Sequence, residues 1–487
     1  METNIQILVV MIVYALFLFM WGLWQGRKVK NSQDFAIAGR SLSGVVASLS
    51  ERATGESSWA LLGLPGAAYA TGLLEVWTAI GCVVGIILAW TILAWRIQRE
   101  AQNLDATTFT DFIAKQHGDK AQLIRITGSI TIVFFFFFYI GAQFIGGAKT
   151  LNNLFGLDPT WGMIVLVLLV IPYTIYGGFR SVAYTDVIQA IVMIVTLIVT
   201  PIVGLIYIAH QPDSAIYAHS ITEALTKAGP QFTDLSGGLD GFGAGCLIGG
   251  SLAWMFGYLG GLPQLTTRFI SIRDVKQAKI GRNVGIVWTI FAYVGALSIG
   301  WIGIAIFGPD AISDRENIMP ILLTKLFPPI IVGVLVTGIL AAVISTANSV
   351  LILSATELSE NLIKPLQKNQ NNSLRLSRIV TAILSVLALI VAFFSSSEFV
   401  YTIVGYVWAG IGCTFSVIIL LTLFWKRFSG GAAVLTIVTG MLFTIVWITT
   451  GMDKIVTVRL MTFIVATVVA VAGSYIFPSA VLMKKRS

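Results

Sequence analysis

Within one apolar stretch, Ala342, Ser345, Thr346 and Ser349 fall at i, i+3, i+4 and i+7, so in a helix they share a face. Hydroxyls on one side of an apolar helix can bond to neighbouring helices or back to the i−4 carbonyl. Beside carbonyls released by a break in an adjacent helix, the same hydroxyls complete an all-oxygen shell. Without a dense carboxylate cluster, such a shell suits a hard monovalent cation, Na⁺, better than a tightly held divalent ion. A second polar group lies in another apolar stretch, where Arg52 is flanked by Glu51 and Glu56. Arg52 and Glu56 form an i,i+4 pair if helix persists there, and an arginine inside a membrane needs protein, water or a counter-charge. Two roles stay open for this cluster: a structural ion pair, or direct contact with a substrate or ion.

The elements that would position these groups follow from composition and hydropathy. Of 487 residues 56% are hydrophobic and only 11% charged, a balance that fits an all-α polytopic membrane protein and excludes a soluble domain of this length. Windows of about 20 residues give about thirteen spans, near 5–25, 41–69, 73–97, 123–153, 160–178, 183–209, 236–262, 280–307, 329–361, 376–396, 399–425, 431–450 and 459–480. The first is too long for a signal-peptide core and lacks a cleavage site, so it is retained. Cys82, Cys246 and Cys413 sit in apolar segments without metal-ligand spacing and read as small buried residues.

With the N-terminus outside, most of the 31 Lys and Arg fall in cytoplasmic loops or the tail, among them Arg27, Lys28, Lys30, Arg40, Arg268, Arg273, Lys276, Lys279, Arg282, Lys484, Lys485 and Arg486. Lys149, Lys227, Arg315, Lys325, Lys454 and Arg459 remain outside. This asymmetry predicts an N-out, C-in protein of the cell membrane, and it accounts for the net charge of +8 without nucleic acid.

Two spans carry polar or helix-weakening residues near mid-membrane: the one through Glu51–Ser58, with its break expected at 53–56, and the glycine-rich run 236–262. Irregular backbone persists at that depth only where it lines a site. The broken spans open two sets of five, spans 2–6 and 7–11, and an odd number of crossings inverts one set relative to the other. The chain divides accordingly into an extra helix and loop (1–40), a first repeat (41–209), an extracellular loop (210–235), a second repeat (236–425), and two further helices with a basic tail (426–487).

Three motifs carry a family resemblance: Ser57-Ser58-Trp59-Ala60-Leu61-Leu62-Gly63-Leu64-Pro65-Gly66-Ala67; Gly177-Gly178-Phe179 with Tyr184-Thr185-Asp186-Val187-Ile188-Gln189-Ala190; and Ile339 to Thr346. Together they resemble the sodium:solute symporter family, over nearly the whole chain from Ala38 to Gly410. The resemblance implies a LeuT-like core of inverted five-helix repeats with one extra helix before it and two after. It implies a Na⁺ site of the Ala53, Glu56 and Ala342 carbonyls with the Ser345 and Thr346 hydroxyls. It further implies a role for Asp186 in Na⁺ release or, with Asn348 and Ser349, in a second Na⁺ site. For the solute it implies Thr54, Gly55 and Ser57 at the break, with Tyr139, Trp254, Tyr258 and Pro263 around the chamber.

The sequence departs from the family's proline carriers at one point. Those carriers have an aspartate at the position of Gly55, in a run that here reads Thr54-Gly55-Glu56-Ser57-Ser58-Trp59. The carboxylate is lost or moved to Glu56, and one residue turns a side chain by about 100° around a helix. Proline or a related amino acid is the leading solute; a carboxylate, pantothenate, a sugar or a sialic acid are the family alternatives. An enzyme is excluded by histidine placement, since His117, His210 and His219 lie in loops or at span ends with no catalytic or zinc spacing. A transporter-like membrane sensor is the alternative from another class. The expected partners are a small solute, Na⁺ and the lipid bilayer, with no nucleic acid and no obligate protein partner.

Overall fold

The computed structural model describes residues 2–366, 373–394 and 399–478, which leaves the expected basic tail residues Lys484, Lys485 and Arg486 outside the described residues. Among the described residues the regular structure is helical, with one isolated parallel bridge between Leu42 and Ile272. The first half contains α1 (Glu2–Gly26), α2 (Gly44–Ser58), α3 (Leu64–Thr71), α4 (Val76–Leu88), α5 (Ala94–Asn103), α6 (Ala121–Phe155) and α7 (Pro159–His210). The second contains α8 (Gly241–Leu252), α9 (Trp254–Tyr258), α10 (Pro263–Ser271), α11 (Val275–Phe307), α12 (Pro329–Leu358), α13 (Ser373–Phe394), α14 (Val400–Val407), α15 (Thr414–Phe424), α16 (Gly430–Thr449) and α17 (Val458–Ile476). Helix starts follow local chemistry: Ser43 accepts from the Val46 amide at α2, Asp158 caps α7 ahead of Pro159, and Asp274 caps α11 through the Gln277 amide.

Among the described residues eleven stretches are long and apolar enough to cross a bilayer, against the thirteen spans expected. The difference lies in two runs. Residues 44–103 form a 60-residue helical stretch and α7 is 52 residues long; straight, they would extend roughly 90 and 78 Å, against a hydrocarbon core of about 30 Å. Each is interrupted at a glycine: Gly72 has φ 63° and ψ −125°, and Gly178 has φ 53° and ψ −150°.

Burial separates a core from a periphery. Of the most apolar window of α12, 83% is buried, against 22% for α1 and 28% for α17. Helix α12 packs on α2, α6 and α7, and α11 on α2 and α7. The outer faces expose large apolar side chains such as Val13, Leu168, Phe291, Ile383 and Val468, a surface stable only in lipid. At one end the starts of α2 and α11 and the end of α10 are tied together. The Leu42 amide donates to the Ser271 carbonyl (3.2 Å), the Arg273 amide donates to the Leu42 carbonyl (3.0 Å), and the Gly44 amide donates to Gln277 Oε1 (2.8 Å).

Candidate functional site

Both breaks are present; the first lies just past its expected position, and the second falls at the far end of the expected run. Helix α2 is regular through Glu56 and leaves helical geometry only at Ser57, with φ 31° and ψ −166°. Arg52 therefore sits in regular helix, more than a turn before the break. The reason lies on another helix: the Gln143 side chain of α6 accepts from the Ser58 amide (3.2 Å) and the Ser58 hydroxyl (2.8 Å), holding the chain where it has left the helix. In the second broken element the glycine-rich α8 is ordinary helix. The chain opens at Leu259–Leu262, where Gly260 has φ +83° and Pro263 restarts the helix as α10. Here the Gly260 carbonyl accepts from Thr266 Oγ1 (2.9 Å) and the Gly261 amide donates to Ser416 Oγ (3.0 Å).

The hydroxyl face of α12 meets the turn of α2 that precedes its break. Thr346 Oγ1 donates to the Thr54 carbonyl at 3.1 Å, and Thr54 Oγ1 lies 3.3 Å from Ser345 Oγ and 2.9 Å from Ser349 Oγ. Ala53 and Ala342 are fully buried on the same two helices. The Glu56 carbonyl accepts from the Trp59 amide beyond the break. Asp186 Oδ2 accepts from Ser50 Oγ at 2.6 Å, while its other oxygen has no hydrogen-bond partner among the described residues. Asn348 is engaged elsewhere, accepting from Thr174 (2.6 Å) and donating to the Tyr173 hydroxyl, so of the second-ion residues only Ser349 shares a cluster with Asp186.

The link in that cluster is Arg268. Expected in a cytoplasmic loop, it is fully buried on α10, and its guanidinium donates to Asp186 Oδ2 (3.0 Å), Thr54 Oγ1 (2.9 Å), Ser349 Oγ and Ser50 Oγ (3.1 Å). It therefore joins α10 to α2, α7 and α12 within the region expected to bind a second ion.

The neighbouring arginine is enclosed as well. Arg52 pairs with both Glu51 oxygens, with Glu56 Oε1 at 2.6 Å and with Thr289 Oγ1 at 3.2 Å, and Trp90 Nε1 donates to Glu51 at 3.1 Å. Of the two roles left open by the sequence, the structure displays the ion pair. Glu56 Oε2 is buried without a hydrogen-bond partner among the described residues, with the Tyr293 side chain nearby. A Cβ at Gly55 would stand 3.4 Å from Arg52 Nη2 and 3.3 Å from Leu265, so the position admits little more than glycine without an adjustment.

Beyond the break the chain enters a cluster of rings. Trp59 stacks on Trp254 with centroids 4.7 Å apart and lies edge-on to Tyr401 and Trp408, each at 6.3 Å. Tyr258 meets Trp408 at 5.3 Å and Tyr139 meets it at 6.3 Å, and the Tyr258 and Tyr293 hydroxyls lie 3.1 Å apart. Ring faces of this kind hold the apolar or cationic part of a small solute. The indole N–H groups of Trp254 and Trp408 and the Tyr139 hydroxyl are buried without partners among the described residues. Pro263 is buried at the start of α10, where it restarts the helix.

Residues 35–440 match the model of the sodium:solute symporter family. The osmoregulated proline transporter of Bacillus subtilis is 31% identical over 93% of this chain and 90% of its own length. The high-affinity proline transporter of the same organism is 32% identical over 89% and 90%, and a sodium/proline symporter of Staphylococcus aureus 30% over 92% and 86%. The chain belongs to the sodium:solute symporter family. Among solved structures, an outward-open Na⁺-coupled sialic acid symporter superposes with a TM-score of 0.80 over 97% of this chain and 98% of its own, at 16% identity. A nucleobase-cation-symport-1 transporter in a closed conformation gives 0.56 over 91% and 95%, at 13% identity.

The fold is LeuT-like, and as a family member the chain is a multi-pass membrane carrier coupling a solute to Na⁺. It is a transporter and not an enzyme, as its relatives are. Sequence reasoning missed Arg268, Gln143, Trp59, Trp408 and Tyr293 as site residues. Trp59 stood inside the first family motif and could have been found there; nothing in its local pattern singled out Gln143.

Proposed function

We propose that this symporter moves proline or a closely related small amino acid into the cell together with Na⁺. The observation that carries the reading is the turn of α2 ending at Ser57. Thr54, before the break, touches the hydroxyl face of α12, whereas Trp59, just beyond it, stacks in the ring cluster. Ligands for the ion and for the solute thus belong to one short segment, so ordering that segment for either favours the other, and the coupling is reciprocal. The Ser345 and Thr346 hydroxyls with carbonyls of Ala53, Glu56 and Ala342 hold the ion. The rings of Trp59, Trp254, Tyr258 and Trp408 enclose the solute's apolar body, with the unpartnered oxygen of Glu56 facing its ammonium group. Proline is taken from the named relatives, which match along most of their length.

The mechanism is alternating access. Na⁺ and solute bind from outside, the two repeats rock, and release on the inside requires Arg268 to let go of Asp186, Thr54 and Ser349. We further assign thirteen crossings, dividing residues 44–103 at Gly72 and α7 at Gly178, with the N-terminus outside, the C-terminus cytoplasmic, and residence in a bacterial cell membrane. The carrier works in the lipid bilayer without an obligate protein partner. The test is uptake of labelled L-proline by proteoliposomes: accumulation is expected with an inward Na⁺ gradient and none when K⁺ replaces Na⁺. Equal uptake in both would overturn the coupling.

A further inference from the structure

Arg52, Arg268 and Lys149 are all ion-paired where they enter the protein. Arg459 differs from these three. It lies one residue into α17, outside the repeat core, yet its guanidinium lies over the Trp254 ring at 4.5 Å from the centroid. No carboxylate among the described residues lies within 4.0 Å of it. Among the described residues its Nε has no partner, and its Nη2 makes a long contact of 3.5 Å to the Gly250 carbonyl.

The approach of α17 depends on two missing side chains. A Cβ at Gly250 of α8 would stand 2.3 Å from Thr457 Cγ2, and one at Gly405 of α14 would stand 2.5 Å from Arg459 Nη1. Through that slot a cation reaches the outermost ring of a stack, because Trp254 lies parallel to Trp59, and the Trp59 indole N–H donates to the Gly55 carbonyl at the edge of the α2 break. The indole N–H groups of Trp254 and Trp408 are two further donors without acceptors among the described residues. Donors without acceptors at the rings and the second Glu56 oxygen, all among the described residues, leave hydrogen-bonding capacity that a ligand carrying both acceptors and a donor would use.

We propose that Arg459 is a specificity-determining residue that receives the carboxylate of the solute as it enters the ring cluster. This rests on the symport reading above. A guanidinium offers a carboxylate two parallel hydrogen bonds, a geometry that a lysine ammonium or a neutral amide does not reproduce. The solute enters with its carboxylate toward α17 and its ammonium group toward Glu56.

The experiment compares L-proline with L-prolinamide, which lacks the carboxylate, in wild type, Arg459→Gln and Arg459→Lys. Losing a charge-assisted hydrogen bond worth about 1.5–3 kcal/mol corresponds to a KM for proline raised about 10-fold or more in Arg459→Gln. Uptake kcat, the inhibition constant of prolinamide, and the Na⁺-dependent change in tryptophan fluorescence without solute should hold, with Arg459→Lys intermediate. If Arg459→Gln folds poorly, Gly405→Ala displaces the guanidinium without removing it and should raise KM in the same way. A KM within twofold of wild type, an equal loss of affinity for proline and prolinamide, or a transported solute without a carboxylate would each overturn the assignment. Wild-type uptake indifferent to Na⁺ would instead overturn the symport reading.

Discussion

Next to Gly55 stands the carboxylate of Glu56, and its part in the site can be tested. One Glu56 oxygen pairs with Arg52 and the other has no hydrogen-bond partner among the described residues, so the residue can clamp the arginine and still face a solute. Glu56→Gln leaves Arg52 with Glu51 alone; removing a partner from a buried pair typically costs about 3–5 kcal/mol, and with Glu51 in place the loss should sit near the lower end. Detergent melting should fall in the single variant and recover when Arg52→Met and Glu51→Gln are added together, since Glu51 would otherwise lose its own partner, while the KM for solute stays raised in both. Normal melting and KM in Glu56→Gln would leave Glu56 with its backbone carbonyl alone. At this scale the sequence was legible where a period governs, since the spacing of Ser345, Thr346 and Ser349 put them on the face that meets Thr54. It was illegible for Arg268 and Asn348. A basic residue near a span end counts as a loop charge until the fold turns it inward, and an amide's partner, here Tyr173, lies 175 positions away.

Helices break where something accepts the released backbone groups, which is why composition foretold that α2 and the second broken element would open but not where. The glycines of α8 weaken a helix without ending it, whereas Gln143, on a different element, fixes the break at Ser57. Particular glycines therefore differ in kind. Gly178 lies in a backbone region essentially closed to other residues, and a Cβ there would stand 2.5 Å from the Phe35 ring and 2.7 Å from the Phe35 carbonyl. Strain of about 1–3 kcal/mol adds to that overlap, so Gly178→Ala should melt far below wild type. Gly245 is helical with nothing within 4 Å of its would-be Cβ, and Gly245→Ala should be neutral or raise stability by about 0.5–1 kcal/mol. Parallel melting curves check both, and equal behaviour would show that Gly178 is not a required turn.

As a whole the molecule is fastened at both ends of its central site. The repeat pattern and the odd crossing number made the inverted architecture readable, but the fastenings are side-chain pairs between distant segments and left no periodic trace. At one end stand the Leu42–Ile272 bridge and Arg268; at the other, Lys149 donates to Glu316 Oε2 (2.8 Å) and pairs with Asp314 (3.1 Å), while the Tyr401 amide donates to Glu316 Oε1 (3.0 Å) and the Tyr401 hydroxyl to Glu75 (3.1 Å). Glu316 thus holds α6 and α14 together above Trp59, whose ring lies edge-on to Tyr401. Glu316→Gln keeps the shape and weakens both links, which biases the equilibrium toward the state open on that side. A shift of 1.4 kcal/mol is about tenfold in population. In a cysteine-free background carrying Ser58→Cys, a membrane-impermeant maleimide added from the Glu316 side should react about tenfold faster once Glu316→Gln is introduced, and reagent from the opposite side more slowly. Unchanged rates from both sides would mean that Glu316 braces the structure without gating it, and the control of access would then rest with Arg268 at the other end.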